Sequence, residues 1–412
     1  MNREMEHINV LAGEIGFRVA TTEGERQAAQ YIEQELRAYN LQEIRQEPFP
    51  CTTEGINTLS PYLFTAIGAS ILAPLSPLLG LLGLLAAPAG VLGEMRLNKG
   101  PVTWLARRGT SNNVLGVLPA RVERKACVVL LAHYDSVRVR GTTKPNAERP
   151  VRKFLARIRN LFYATALGSS AVGVFARRTK RKPLTRMTQY ISGAAGIASL
   201  FLTAPLLLDL SVRGVDGEGA NDNASGVAVL LSLAEQMAQL PLDSTEVWFV
   251  ATGGEEIGLV GARAFAERYG KALKDAYFFA IDTVGAGRIH YTIQESFPQR
   301  ADVPHEVVDI LVTASEKGQY GAMPHMLREG GTDAGAMLAK RFKAASIECL
   351  LQDGKMPEIN WPTDTRHYVE PQTPQKVTAF MQEVLQEIDR RVCYNKKHTR
   401  STIVERNPYG KH

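Results

Sequence analysis

The sequence predicts an α/β fold. Short apolar runs that read as buried strands alternate with apolar stripes at helical spacing, and the residues able to do chemistry stand where the strand-like runs end. With 412 residues and 45% hydrophobic content, the chain can bury one sizeable catalytic core and still carry extra segments. Taken in order, Thr22 with Glu25 reads as a capping box opening an amphipathic helix to about Tyr39. Residues 126–131, 245–252 and 276–281 read as core strands. Residues 223–239 place Val227, Leu230, Leu231, Ala234 and Met237 on one helical face. Thr373-Pro374 opens a last helix through Val377, Phe380, Val384 and Ile388, with proline suited to a first turn.

Polar residues follow the strand-like runs in a pattern. His133 and Asp135 follow the first, Glu255 and Glu256 the second, Asp282 the third, and Asp222 stands in Asn221-Asp222-Asn223 before a helix. Open α/β sheets build sites at the carboxyl ends of strands. Each motif alone has a plain reading as a polar strand end or a solvated helix face; their joint occurrence at such junctions points to a pair of divalent cations. Two close dications repel and need a bridging carboxylate, read as Asp222, and each then takes an imidazole and another carboxylate. His133 with Asp282 serves one ion and Glu256 with His367 the other. Glu255 is the spare acid, placed to move a proton between water and a leaving amine. Asp135 is expected to accept the second ring N–H of His133 and fix its tautomer.

The runs Leu131-Ala132-His133-Tyr134-Asp135-Ser136, Gly219 through Gly226, Gly254-Glu255-Glu256-Ile257-Gly258 and Ile281-Asp282-Thr283-Val284-Gly285 resemble metallopeptidase family 28, the co-catalytic di-zinc aminopeptidases and their relatives. The resemblance covers the N-terminal helix and residues 113–391 apart from one long insertion. The sister family 20 uses similar ligands but inserts a whole domain before its last histidine, and no such domain follows Glu256 here. The chain departs from the family pattern at its last ligand: it reads Thr363-Asp364-Thr365-Arg366-His367, where the family has His-Thr followed closely by Asp-Thr. His367 is the best-placed histidine, because His290, His305 and His325 come early and His398 and His412 lie in a polar tail. Thr332-Asp333 is similar to a Ser-Asp segment near the family's site; a helix N-cap is the plain alternative. The resemblance implies a three-layer, mixed-sheet zinc exopeptidase domain of the phosphorylase/hydrolase-like kind, with two zinc ions and a peptide substrate. It implies hydrolysis of N-terminal peptide bonds through a metal-held hydroxide, with carboxypeptidase or glutaminyl cyclase chemistry, or a non-catalytic binding module, as rivals.

The expected peptidase domain comprises 1–56, 94–148 and 212–393. Residues 57–93 form an apolar insertion, 61–93 carrying no charge, with Pro74 to Pro77 as a candidate hairpin turn. Residues 149–211 form a second insertion, whose apolar stretches 161–176 and 190–210 flank the basic run 177–182, and 394–412 is a polar tail expected to be disordered. Such long apolar stretches suggest a lipid bilayer as partner and transmembrane hairpins as the means. His133 and Asp222 must reach the same ions, so the second insertion can cross only an even number of times. Arms of about 15 residues in the first insertion are short for a span, which leaves an interfacial hairpin open. Basic residues flank both sides, so charge does not settle the orientation; the reading places the protein at a membrane, its catalytic face towards the cytoplasm, with a soluble enzyme whose apolar insertions form a lid or an oligomer interface as the alternative. Residues 1–18 show no signal-peptide pattern. The net charge of +6 sits in these flanks and the tail, where anionic headgroups explain it better than nucleic acid. Cys51, Cys127, Cys349 and Cys393 show neither metal nor disulfide spacing.

Overall fold

A computed structural model of the chain describes residues 2–52, 56–97, 109–139, 149–211, 215–328, 330–359 and 361–404. The chain divides into two compact units: Met1–Cys51, Gly109–Val137 and Asp216–His412 form the first, and Thr52–Arg108 with Arg138–Val215 form the second.

The first unit is built on a mixed sheet. Its strands are β1 (Gln42–Cys51), β2 (Gly109–Leu118) and β3 (Ala126–His133); two short segments, β4 (Arg138–Val139) and β5 (Val215–Asp216), pair apart from it. The sheet continues with β6 (Thr245–Thr252), β7 (Tyr277–Ile281), β8 (Arg288–Glu295), β9 (Ala301–Asp302), β10 (Met323–Leu327) and β11 (Lys343–Leu350). The order across the sheet is β1-β2-β6-β3-β7-β11-β8-β10, with β9 on β8. At its centre β6, β3, β7 and β11 run parallel, so their carboxyl ends lie at one edge. The strand-like runs read from the sequence are β3, β6 and β7, and they are buried on both faces, which is why they appear as continuous apolar runs rather than alternating ones.

Helix Ser225–Gln239 packs on β3, β6 and β7 and on helix Gln372–Val404, burying Val227, Leu230, Leu231, Ala234 and Met237 as expected. Helices Val260–Tyr269 and Asp333–Ala339 pack together, the former on β1 and β2 and the latter on β3, β7 and β11. Two local expectations are corrected. Thr22 stands at the N-cap of helix Glu23–Ala38 without a side-chain capping bond; its hydroxyl donates to the Val19 carbonyl, while Glu25 accepts from the Thr21 amide and the Ser111 hydroxyl. The segment expected to be a disordered tail continues helix Gln372–Val404 to residue 404, and 405–412 lie outside the described residues.

The two insertions are not separate pieces. Helices Ile56–Leu72, Pro77–Leu97, Arg149–Arg178 and Lys182–Ser211 pack into one four-helix unit around Ala69, Leu84, Ala166 and Ala195. Pro74 and Ser76 lie in the turn between the first two helices, as their composition suggests. Among the described residues no helix is long and apolar enough to cross a membrane, so the expected transmembrane hairpins are not found there. The physical reason is visible in helix Arg149–Arg178, whose uncharged stretch 161–176 is diluted by Thr165, Gly168, Ser169, Ser170 and Gly173 and falls short of the roughly 20 apolar residues a span needs.

Candidate metal centre and active site

Two parallel strands and a turn deliver the first ligands. His133 ends β3, Asp282 follows β7, and Asp222 lies in an irregular turn, Ala220–Ala224, that leads into helix Ser225–Gln239. The His133 Nε2 atom lies 3.2 Å from Asp222 Oδ1 and 3.6 Å from Asp282 Oδ1. One ligand atom from each of the three residues falls within 4.8 Å of the others, all three residues being buried.

The turn that presents Asp222 is fixed from several directions. The Asp364 carboxylate accepts the amides of Asn221 and Asp222, at 2.6 and 3.0 Å. Asn223 donates to the Ile281 carbonyl and accepts from the Thr283 amide, tying the turn to the end of β7 beside Asp282. Asn221 donates to the Pro357 carbonyl and accepts from the Gly285 amide. Gly219 begins the turn at φ 56°, and a Cβ there would stand 2.7 Å from the Asp222 carbonyl oxygen and 2.8 Å from Ser136 Cβ, so only glycine fits. Behind it Arg18, wholly buried, donates to the carbonyls of Leu11, Gly16, Tyr134, Glu218 and Gly219. Burial pulls the Arg18 guanidinium down to about 10, and the surrounding carboxylates of Asp364, Asp135, Asp222 and Glu218 oppose that.

Asp135 works differently from the sequence reading. The Nδ1 atom of His133 faces the Asp135 backbone carbonyl at 3.2 Å, with the carboxylate at 3.6 Å. The carboxylate instead accepts the amides of Glu255 and Glu256, at 3.0 and 3.2 Å, and so sets the turn after β6 that carries both acids. Glu256 and His367 are not among the three groups that converge on one point. Glu256 lies beside them, its carboxyl held well above the ordinary range by burial and by the Asp222 charge, and its Oε1 atom is buried without a hydrogen-bond partner among the described residues. His367 is exposed on a loop, three residues after the Asp364 that grips the Asp222 turn. Thr332 does cap helix Asp333–Ala339, its hydroxyl accepting the Ala334 amide, and Asp333 also reaches the site, hydrogen-bonded to Thr252 at the end of β6.

The electrostatics favour cations. Burial and mutual repulsion raise Asp222 and Glu255 as well as Glu256, and lift Asp333 and Asp364 to about 7. Burial alone would lower His133, but the charges of Asp282 and Glu255 and the nearby carboxylates of Asp135 and Asp222 outweigh it and push the imidazole above its ordinary value. So many buried acids around one imidazole, two of them, Glu256 and Asp333, with an orphaned oxygen among the described residues, are the donor set that hard or borderline dications satisfy.

The family model described as Peptidase family M28 matches residues 208–385, a span that takes in Asp222, Glu255, Glu256, Asp282 and His367 and begins after His133. A probable lipoprotein aminopeptidase, LpqL, of Mycobacterium tuberculosis is 46% identical over 52 residues, 13% of this chain and 10% of that protein. Aminopeptidase YwaD of Bacillus subtilis is 41% identical over 69 residues, 16% of this chain and 15% of that one. The match thus spans only 10% and 15% of the length of these curated relatives. Among solved structures, BSAP, a zinc aminopeptidase from Bacillus subtilis, superposes with a TM-score of 0.57 at 16% identity, covering 94% of each chain, which establishes the shared mixed α/β fold.

Proposed function

We propose that the first unit is a zinc-dependent exopeptidase, most simply an aminopeptidase. The convergence of His133, Asp222 and Asp282 beside Glu255 carries the reading. His133, Asp222 and Asp282 would hold one ion; Asp222, Glu256 and His367 would hold a second, and the grip of Asp364 on the Asp222 turn supports bringing the His367 loop to that place. Ions bound there would polarise a peptide carbonyl and make a water acidic. The protein supplies the proton handling. Burial, together with the charges of Glu256, Asp282 and Asp333, lifts the Glu255 carboxyl well above the ordinary range despite the opposing pull of His133, which suits a group that takes a proton from water and returns it to the leaving amine nitrogen. Asp135 holds Glu255 in position through its amide. The test is elemental analysis of purified protein alongside cleavage of unblocked and N-blocked peptides. About two zinc ions per chain, cleavage of unblocked peptides only, and loss of turnover on chelation with recovery on adding zinc are expected. Metal-free protein that stays inactive after zinc addition would sink the reading.

We also infer that the four-helix unit adheres to an anionic membrane surface without crossing it. Leu75, Tyr190 and Phe201 are 73%, 79% and 74% exposed, and Phe64, Leu78, Leu79, Leu82, Leu85 and Phe175 are exposed too. Large apolar side chains exposed so densely mark an interaction surface, and the basic run 177–182 beside them supports an anionic lipid as the partner. Full-length protein is expected to float with phosphatidylglycerol vesicles and to stay largely unbound with phosphatidylcholine alone. Equal recovery with both, or with neither, would refute an anionic-lipid surface.

A further inference from the structure

One strand over from Asp282 lies a second buried carboxylate that the reading above does not use. Ile281 on β7 pairs with Ile347 on β11, so the next positions, Asp282 and Glu348, share a register and a face of the sheet. Glu348 in turn pairs with His290 on β8, and His290 with Met323 on β10. One residue pair deeper on the same face stand Ser346, Thr292 and His325. Neighbouring strands are about 4.8 Å apart. A row therefore runs from Asp282 through Glu348 and His290 to Met323, which is 40% exposed, with His325 one step deeper on the same face.

Glu348 is wholly buried, and neither of its carboxylate oxygens has a hydrogen-bond partner among the described residues. His325 Nε2 stands 2.6 Å from Glu348 Oε2, an ion-pair distance, but not in hydrogen-bonding geometry, and it too is left without a hydrogen-bond partner among the described residues. The contrast with Glu295 is instructive. That acid is equally buried, yet it accepts from the Thr332 amide and from the hydroxyls of Thr332 and Ser346, so its charge is supported. An orphaned buried carboxylate costs free energy unless a partner arrives. His290 turns Nδ1 to the Arg288 carbonyl at 2.8 Å, and the two imidazole rings meet edge to face at 5.8 Å. Burial lowers both histidines and so keeps them neutral, in which state they do not repel a cation and can accept its N–H groups.

A third metal ion is one candidate occupant. Among the described residues, however, the group whose ligand atoms converge tightly enough for an ion is His133, Asp222 and Asp282, and this trio is not another such group. An extended organic cation fits better, since its apolar stem can lie along the sheet while its head meets the acid. We propose that Glu348, with His290 and His325, forms a subsite for the cationic side chain of a lysine or arginine at the substrate's N-terminus. The placement rests on the aminopeptidase reading: a substrate whose first peptide bond lies at the ions carries its first side chain within a strand's width or two of Asp282. The selectivity comes from the orphaned oxygens, because a site built to meet an N–H rejects an analogue that lacks one.

The test measures binding, so it does not depend on turnover. Zinc-loaded full-length protein is titrated calorimetrically with L-lysine, L-arginine and L-norleucine, the last matching the lysine stem without its ammonium. L-lysine and L-arginine are expected to bind at least about tenfold more tightly than L-norleucine, and Glu348→Gln, which keeps the shape, is expected to bring all three within about twofold. Equal affinities in the unaltered protein, a preference that survives Glu348→Gln, or binding of none of the three would overturn the subsite. A Glu348-dependent preference in a protein that cleaves no peptide would leave the subsite standing and defeat the aminopeptidase reading. Cleavage of lysyl and leucyl peptides at the same rate, with equal affinities for the free amino acids, would do the reverse.

Discussion

Glu255→Ala is expected to lower kcat on an unblocked peptide by about a thousandfold while zinc content stays at the level of the unaltered protein. The proposed reading keeps this residue out of the ligand set. His133, Asp222 and Asp282 converge on one point, and Glu255 stands outside that trio on a turn whose amides are held by Asp135. Removing its carboxylate therefore leaves the first ion's ligands in place and takes away only the proton carrier. Elemental analysis beside steady-state kinetics reads both quantities. If activity and zinc fall together, Glu255 is a ligand and the division of labour between it and Glu256 is wrong.

Most of the proposed site residues were legible in the sequence because they are tied to strand ends. Apolar runs declare the central strands, and the residue just after such a run lies at the carboxyl edge of the sheet, so His133, Glu255 and Asp282 could be placed without knowing the strand order. Asp222 was legible through its neighbours, since two asparagines and a following helical stripe mark a tight turn into a helix. What could not be read depends on contacts distant in sequence. Asp364 meets the Asp222 turn across 142 positions, and nothing local to Thr363-Asp364-Thr365 distinguishes a gripping carboxylate from a surface one. Asp135 was expected to bond the imidazole two residues away, but its carboxylate turns to amides about 120 positions later. Glu348 follows Lys343-Ala344-Ala345-Ser346-Ile347, which carries little strand signal of its own; only the pairing of β11 with β7 and β8 shows that it stands beside Asp282.

The insertions show a different limit. Their low charge suggested spanning helices, yet charge-free length alone does not separate a bilayer span from a small-residue helix packed on its neighbours. Gly80 and Gly83 lie close against Ala73 and Ala69, and Gly196 against Ser70, so the glycines that lower the hydropathy are also what lets these helices approach. The exposed leucines and aromatics on the same helices are left for a surface to cover.

Arg18→Met is expected to destabilise the first unit by roughly 4 kcal/mol, because it strips the charged donors from five backbone carbonyls at once and leaves them buried. Arginine is the one side chain with a fork wide enough to serve all five, which lie on the N-terminal segment, the end of β3 and the Asp222 turn. The same change frees the Glu218 and Gly219 carbonyls that lead into the Asp222 turn, so zinc affinity is expected to fall as well, through the loosened turn rather than through a lost ligand. Arg18→Lys keeps a charge but only three donors on a flexible stem, and is expected to recover part of the stability and little of the zinc affinity. Urea unfolding followed by circular dichroism, with zinc titration of the folded variants, measures both effects. An unchanged unfolding midpoint in Arg18→Met would show that water replaces the guanidinium at no cost, and the wedge that joins the three segments would then lie elsewhere.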